Sequence, residues 1–421
     1  MPHQLGVTIR AEVAADQVAP LRDWLAKAAR DGAADGAFAF GSISGLHFAK
    51  LFLLDEVTDG SGQRIPANLV LMTEVDAPLR LHLVELIEVG GTGIDQAFGF
   101  CVSYPGTGSR RARIAWLRRH LVRASAFYVN TVGRALGQIR QEAALHDAIE
   151  DYLDHGDWSG RAADDVRREI LAYVAGRPDV AWAMRPPAPP SLLFRTREAV
   201  HEVAVPLALL WLLPALAVIL PVWAVLIRRS ERAEQPITAR PKLEDLDALA
   251  QYEDFVVQNP FAVVGFIQPG PLRSVTIRAV MLAIDYAARH VYNRDDLAGI
   301  TTIHFARWVP LDGWRRMTFA SIYDGAVEAY NDDFIDQVWW GLNAAFGNAT
   351  QYPPTRWLLW GGATYEQQFK NTLRIHQVPV PVWYSAYPAL SAANIENNAR
   401  IRAGLQGHMT AADAERWLAL L

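Results

Sequence analysis

The chain has 421 residues, 51% of them apolar and 20% charged, with a net charge of −5. That length holds two or three domains with sizeable cores, and an acidic balance without a long basic run excludes nucleic acid as a partner. A single cysteine, Cys101, excludes an intrachain disulfide framework and multi-cysteine zinc sites, and suits a reducing compartment.

The opening residues Met1–Val13 lack a basic region followed by an apolar core, so no secretory signal is expected. Period-two runs predict a strand over Gly6–Val13, another over His47 and a third over Leu69–Val75. Helices are predicted at Val18–Ala29, Pro78–Ala97 and Ala135–Leu153. Residues 1–160 make up this first module. A linker over 161–202 holds a polar helix and the stretch Arg185–Pro190.

Val203–Ile227 then runs without a charge, long enough to cross ~30 Å of hydrocarbon as a helix. Arg228, Arg229 and Arg232 close it, and Pro206, Pro214 and Pro221 can kink it. The membrane segment is therefore set at 203–229. Basic residues concentrate on its C-terminal side, which points to that side as cytoplasmic. The expected location is a bacterial inner membrane with the modules facing the cytoplasm. A single span would separate the two modules, whereas a re-entrant or in-plane segment would keep both on one side. A charged, loop-like linker is read over 230–255. The second module, 256–421, has predicted strands at Phe261–Ile267, Ile303–Leu311 and Met317–Tyr323, with Trp357–Trp360 as the candidate last strand. Helices are predicted at Pro271–Tyr292, Val327–Phe346 and Ala389–Leu405.

The two modules carry the same landmarks in the same order. GLHFAKLFLLD (Gly45–Asp55) matches TIHFARWVPLD (Thr302–Asp312), and Val75-Asp76 matches Tyr323-Asp324. QAFGFCVSYP (Gln96–Pro105) matches AAFGNATQYP (Ala344–Pro353), and LRRH ending at His120 matches LRIH ending at His376. An aromatic pair follows each: Phe127-Tyr128 and Trp383-Tyr384. The fold class is α+β: two β-α-β-β-α-β, or ferredoxin-like, modules forming a tandem pseudo-dimer, with a hydrophobic membrane helix between them.

That order resembles the dimeric α+β barrel superfamily, which includes dye-decolourising peroxidases and chlorite dismutases. HFAR-type repeats are also similar to an uncharacterised bacterial family. The resemblance implies two facing sheets around a lumen. In several members it implies a haem held by a histidine of the C-terminal unit, which carries over to His376 as metal ligand. Arg356 and Tyr384 are the further cofactor-binding candidates. Ser321-Ile322-Tyr323-Asp324-Gly325 matches the peroxidase Gly-x-x-Asp-Gly motif without its first glycine, making Asp324 a catalytic candidate. Arg307, with Arg356 as second choice, would stabilise negative charge on a bound peroxide. Its structural alternative is a salt bridge to Asp312 or Asp324.

His304 and His47 recur in strands, as ligands, acid/base groups or architectural residues. Alternation places His47 with Ala49 and Leu51, opposite Phe48 and Lys50. His146, Glu150 and Asp154 share one helix face, as a solvated face or a metal site. Two functions follow. One is a membrane-attached, haem-dependent oxidoreductase acting on a hydrophobic substrate. The other is a non-catalytic, membrane-anchored protein binding a lipid or a partner. The partners expected are the lipid bilayer and a hydrophobic small molecule or lipid, with a homo-oligomer compatible.

Overall fold

The computed structural model describes the chain apart from residues 1–3, 77, 107, 187–189, 235–238, 255 and 294–295. Part of the proline stretch Arg185–Pro190 thus lies outside the described residues. The first half comprises β1 (Gln4–Glu12), α1 (Val18–Asp31), β2 (Leu46–Leu54), β3 (Asn68–Asp76), α2 (Leu79–Glu88), α3 (Gly91–Phe98), α4 (Arg110–Arg119), β4 (Ala126–Val129), α5 (Leu136–Asp154) and α6 (Ala163–Gly176). After α7 (Leu192–Ala233) and α8 (Leu243–Ala250) come β5 (Gln258–Phe266), α9 (Pro271–His290), β6 (Ile303–Leu311), β7 (Arg316–Asp324), α10 (Val327–Phe346), α11 (Glu366–His376), β8 (Val382–Ser385), α12 (Ala392–Gly404) and α13 (Ala411–Leu418). Pro271 takes the first position of α9, where its missing N–H costs nothing. Ser391 and Thr410 cap α12 and α13 reciprocally with Asn394 and Asp413.

The protein is mixed α+β, with antiparallel sheets and one long apolar helix near the middle. The two main sheets run β1-β3-β2-β8 and β4-β6-β7-β5. Each therefore includes one short strand from the other half. Val382–Ser385 pairs with Leu51–Phe48, and Ala126–Val129 pairs with Trp308–Phe305. The residues just before each exchanged strand hold on to their own half. Val122 N donates to Thr8 O, and Val378 N donates to Ala262 O, both at 2.9 Å. Backbone hydrogen bonds thus link the eight strands of the two main sheets into a ring, and among the described residues none of these strands keeps a long unpaired edge.

All nine residues of β2 are buried, because both of its faces are covered. Ala49, Leu51 and Leu53 pack with α1 to α4. Phe52 and Leu54 face the ring's interior, where Val70, Met72, Ala262, Val309 and Ala320 meet from both halves. Helices α5, α6, α12 and α13 form a separate apolar layer around Ile149, Ile170, Ile401 and Trp417.

Three expectations from sequence need revision. Trp357–Trp360 is not the last strand: only Thr355–Arg356 and Trp360–Gly361 pair, as a small separate ribbon, and the last strand is Val382–Ser385. The apolar helix extends well beyond 203–229, since Leu192–Ala233 is continuous despite its three prolines. The linker over 230–255 contains the end of α7 and all of α8.

Candidate functional site

Three clusters hold the chemically capable side chains. The first lies inside the ring. Lys50 and Arg307 both point inward from their HFAK and HFAR segments, and both are fully buried. Arg307 donates from Nη2 to Glu74 Oε1 and to Thr73 O, and from Nη1 to Val7 O and Thr8 Oγ1. Lys50 Nζ donates to Ser321 O at 3.0 Å. The exchanged strands lay Phe127 opposite Arg307 and Trp383 opposite Lys50. Gly6 leaves room for the guanidinium, since a Cβ there would sit 3.0 Å from the Phe127 ring and 3.2 Å from Arg307 Nη1. Arg307 thus ion-pairs with Glu74 of the other half, and not with Asp312 or Asp324. Asp312 instead takes Arg10 and Arg316.

Two buried cations share Glu74, and burial pushes the Lys50 ammonium down to about 8. The unfolded chain holds that proton up to about pH 10.5, so stability rises as pH climbs from about 8 to 10.5 and the penalty is complete below 8. The shift is worth about 3 kcal/mol. Lys50→Met should therefore stabilise the protein at pH 7 by about 2 kcal/mol, after about 1 kcal/mol is lost with the bond to Ser321. Denaturant unfolding at pH 7 and pH 10 measures this; a variant that keeps the wild-type pH slope would refute the assignment.

The second cluster joins the histidines to the far end of the ring. Register shifts fall between Leu46 and Phe48 and between Ile303 and Phe305, so a bulge interrupts strict alternation at His47 and at His304. His47 Nε2 meets Asp76 Oδ1 at 3.1 Å, and His304 Nε2 meets Asp324 Oδ1 at 2.7 Å. The second oxygen of each aspartate accepts the first helical N–H of a helix: Leu136 N of α5 for Asp76, and Ala392 N of α12 for Asp324. A carboxylate at a helix N-terminus satisfies an orphan donor and opposes the dipole. His47 Nδ1 also lies 3.1 Å from the Tyr387 hydroxyl. These links fasten α5 and α12 to the ring in both halves alike, as an architectural role requires.

The third cluster is a pocket on the outer face of the second sheet. Val263, Ile277, Met281, Trp308, Phe346 and Leu373 supply apolar wall. His376 and Tyr352 are the pocket's titratable groups, and the Tyr352 hydroxyl is spent on Asn343 Oδ1. His376 Nδ1 lies 2.8 Å from Thr372 O, so it carries the proton, and Nε2 makes no other hydrogen bond among the described residues. Burial lowers the imidazole's affinity for a second proton and keeps it neutral.

His120 makes the same bond, to Trp116 O at 2.8 Å. There the residue four positions earlier is a tryptophan. Its indole stacks on His120 at 3.8 Å and packs edge-on against Phe98 and Tyr104. Thr372 takes the matching place before His376 and lines the pocket. Sequence inspection aligned the two histidines and passed over this Trp-to-Thr difference, although WLRRH and TLRIH display it.

The candidate residues are not all brought together. His304 and Asp324 form one pair, while Arg307 lies in the interior on Glu74. His376 stands in the pocket. Tyr384 is carried by the exchanged strand into the first half's core, beside Phe40. Arg356 is exposed on the small ribbon, over the Trp357 ring. His146 bonds Asn398, and no group of three or more His, Cys, Asp or Glu is arranged to hold a metal ion among the described residues. The pocket does not fit haem. Its volume is about 50 Å³, and no Lys or Arg lines it for the propionates. No protein-family model matches the chain, and no curated protein matches it.

Proposed function

We propose that this is a membrane-attached protein that takes the narrow end of an apolar molecule, such as an acyl chain, into the pocket beside His376. We propose further that its halves are duplicated ferredoxin-like units, closed on one another as in a dimeric α+β barrel. The single observation that carries the ligand reading is the pocket itself: an apolar recess lined by Thr372 and His376, at the place in the sequence where the first half has Trp116 stacked on His120. Two further features agree with it. The lining is apolar and its imidazole is uncharged, which suits hydrocarbon. Helix α9 contributes Ile277 and Met281 to the pocket, and its Thr276 accepts a hydrogen bond from Trp223 of the apolar helix α7. One helix therefore separates the pocket from the surface most suited to lipid.

Titration of the full chain in detergent with a fluorescent fatty-acid analogue tests this. Saturable one-to-one binding is expected. His376→Gln should leave affinity within about threefold, whereas His376→Lys should weaken it at least ~tenfold by placing a charge in the apolar wall. Absence of saturable binding would sink the proposal. A second reading, in which the bound molecule is chemically transformed, is favoured by a neutral imidazole in the pocket lining that is held through Nδ1 by Thr372 O. Turnover of a lipid peroxide, lost in His376→Gln while binding persists, would establish it.

A further inference from the structure

We infer that α7 lies in the plane of one leaflet of an anionic phospholipid bilayer, and that both halves of the protein stand on the same side. The apolar stretch needs hydrocarbon cover. Trp211 is 82% exposed, Val218 70% and Leu210 60%, and the uncharged run from Val203 to Ile227 is far larger than a soluble surface keeps bare. Its length alone would permit a crossing.

What decides against a crossing is where its ends are fastened. At the N-terminal end, His201 Nδ1 lies 2.8 Å from His290 Nε2, and Tyr286 donates to Glu202 O at 3.0 Å. At the C-terminal end, Trp223 Nε1 donates to Thr276 Oγ1 at 2.9 Å. Buried Glu231 accepts from Thr355 Oγ1, Trp357 N and Leu358 N at 2.8–2.9 Å. All of these partners belong to the second half. At 1.5 Å per residue, His201 and Glu231 are about 45 Å apart along the helix, more than the hydrocarbon thickness of ~30 Å. A helix crossing the bilayer could keep both attachments only by dragging α9, with Arg278, Asp285 and Arg289, into the hydrocarbon. Charged side chains there cost several kcal/mol each.

An in-plane helix meets no such conflict. His201, Val205, Leu216, Trp223, Ala224 and Ile227 are half-buried or buried towards the protein, and the other faces are bare. The protein thus touches a helix that is apolar all round near its two ends and at Leu216, and lipid covers the rest. Exposed Arg195 and Arg197 before the apolar run, and Arg229 and Arg232 after it, then reach the same headgroup layer.

The test uses the full chain with Cys101→Ser, carrying a nitroxide on single cysteines at Leu207→Cys, Trp211→Cys, Val218→Cys or Val225→Cys. Each variant is bound to vesicles of phosphatidylglycerol and phosphatidylcholine. All four labels should report one shallow depth, about 5–10 Å below the phosphates. A depth that passes through the bilayer centre and returns would overturn the in-plane arrangement. In sealed vesicles an impermeant maleimide should label Asp23→Cys and Gln367→Cys from one and the same side; labelling from opposite sides would overturn it equally. The inference rests on the membrane attachment proposed above. Failure to sediment with vesicles, with α7 covered by a second copy in solution, would sink attachment itself, whereas a mid-bilayer depth would sink only the in-plane geometry.

Discussion

Glu74→Gln is expected to destabilise the protein by about 3–5 kcal/mol at pH 7. Glutamine keeps the shape of the side chain and can still accept from Arg307. It cannot supply the one negative charge that Lys50 and Arg307 share inside the ring. Two cations would then be buried together without a counter-charge, and the desolvation of each would stand uncompensated. The loss is a large share of a stability of 5–15 kcal/mol. The Lys50 ammonium would drop further, so the window of rising stability would start below pH 8. A double-mutant cycle makes the cause visible. Lys50→Met alone should stabilise, and Lys50→Met with Glu74→Gln should recover much of what Glu74→Gln lost. Equal and additive single effects, measured by urea unfolding in detergent, would show that the three groups do not interact as drawn.

Thr372→Trp is expected to abolish apolar-ligand binding, lowering affinity at least ~tenfold, while the fold survives. The substitution copies into the second half what Trp116 does in the first: an indole stacked on the imidazole four residues later. Thr372→Val is the control, since it removes the hydroxyl bonded to Gln368 O and keeps the space. Its affinity should match the wild type. The reciprocal change, Trp116→Thr, should cost about 3–5 kcal/mol by leaving a cavity among Phe98, Tyr104 and His120. It should also create a second binding event per chain. Titration calorimetry with the same fatty-acid analogue counts the sites. Unchanged binding by Thr372→Trp, with unaltered near-ultraviolet circular dichroism, would place the ligand elsewhere.

Much of the secondary structure was legible because it is set locally. The long strands over Ile303–Leu311 and Arg316–Asp324 are rich in β-branched and aromatic residues, and α9 and α10 have the lengths and apolar spacing of ordinary helices. What escaped was set by distant partners. Val382–Ser385 is only four residues long and flanked by prolines, so nothing within it predicts pairing with β2. Its aromatic pair, matched by Phe127-Tyr128, was the one visible sign of an exchanged strand. The ion pair weighed against a catalytic role for Arg307 was with Asp312 or Asp324 of its own module, and its partner is Glu74, 233 positions away. The bulges at His47 and His304 likewise depend on where Asp76 and Asp324 stand, which alternation alone does not encode.

The exchanged strands also constrain how the protein can be made. While the first half leaves the ribosome, β2 has a bare hydrogen-bonding edge, because the strand that covers it is translated only after the apolar helix and after the other strands of the second half. Ala126–Val129 meanwhile waits for β6 to appear. The apolar helix emerges between these two moments. Nascent chains should therefore be most prone to aggregate, and most dependent on a chaperone, in the interval before Ser385 clears the exit tunnel.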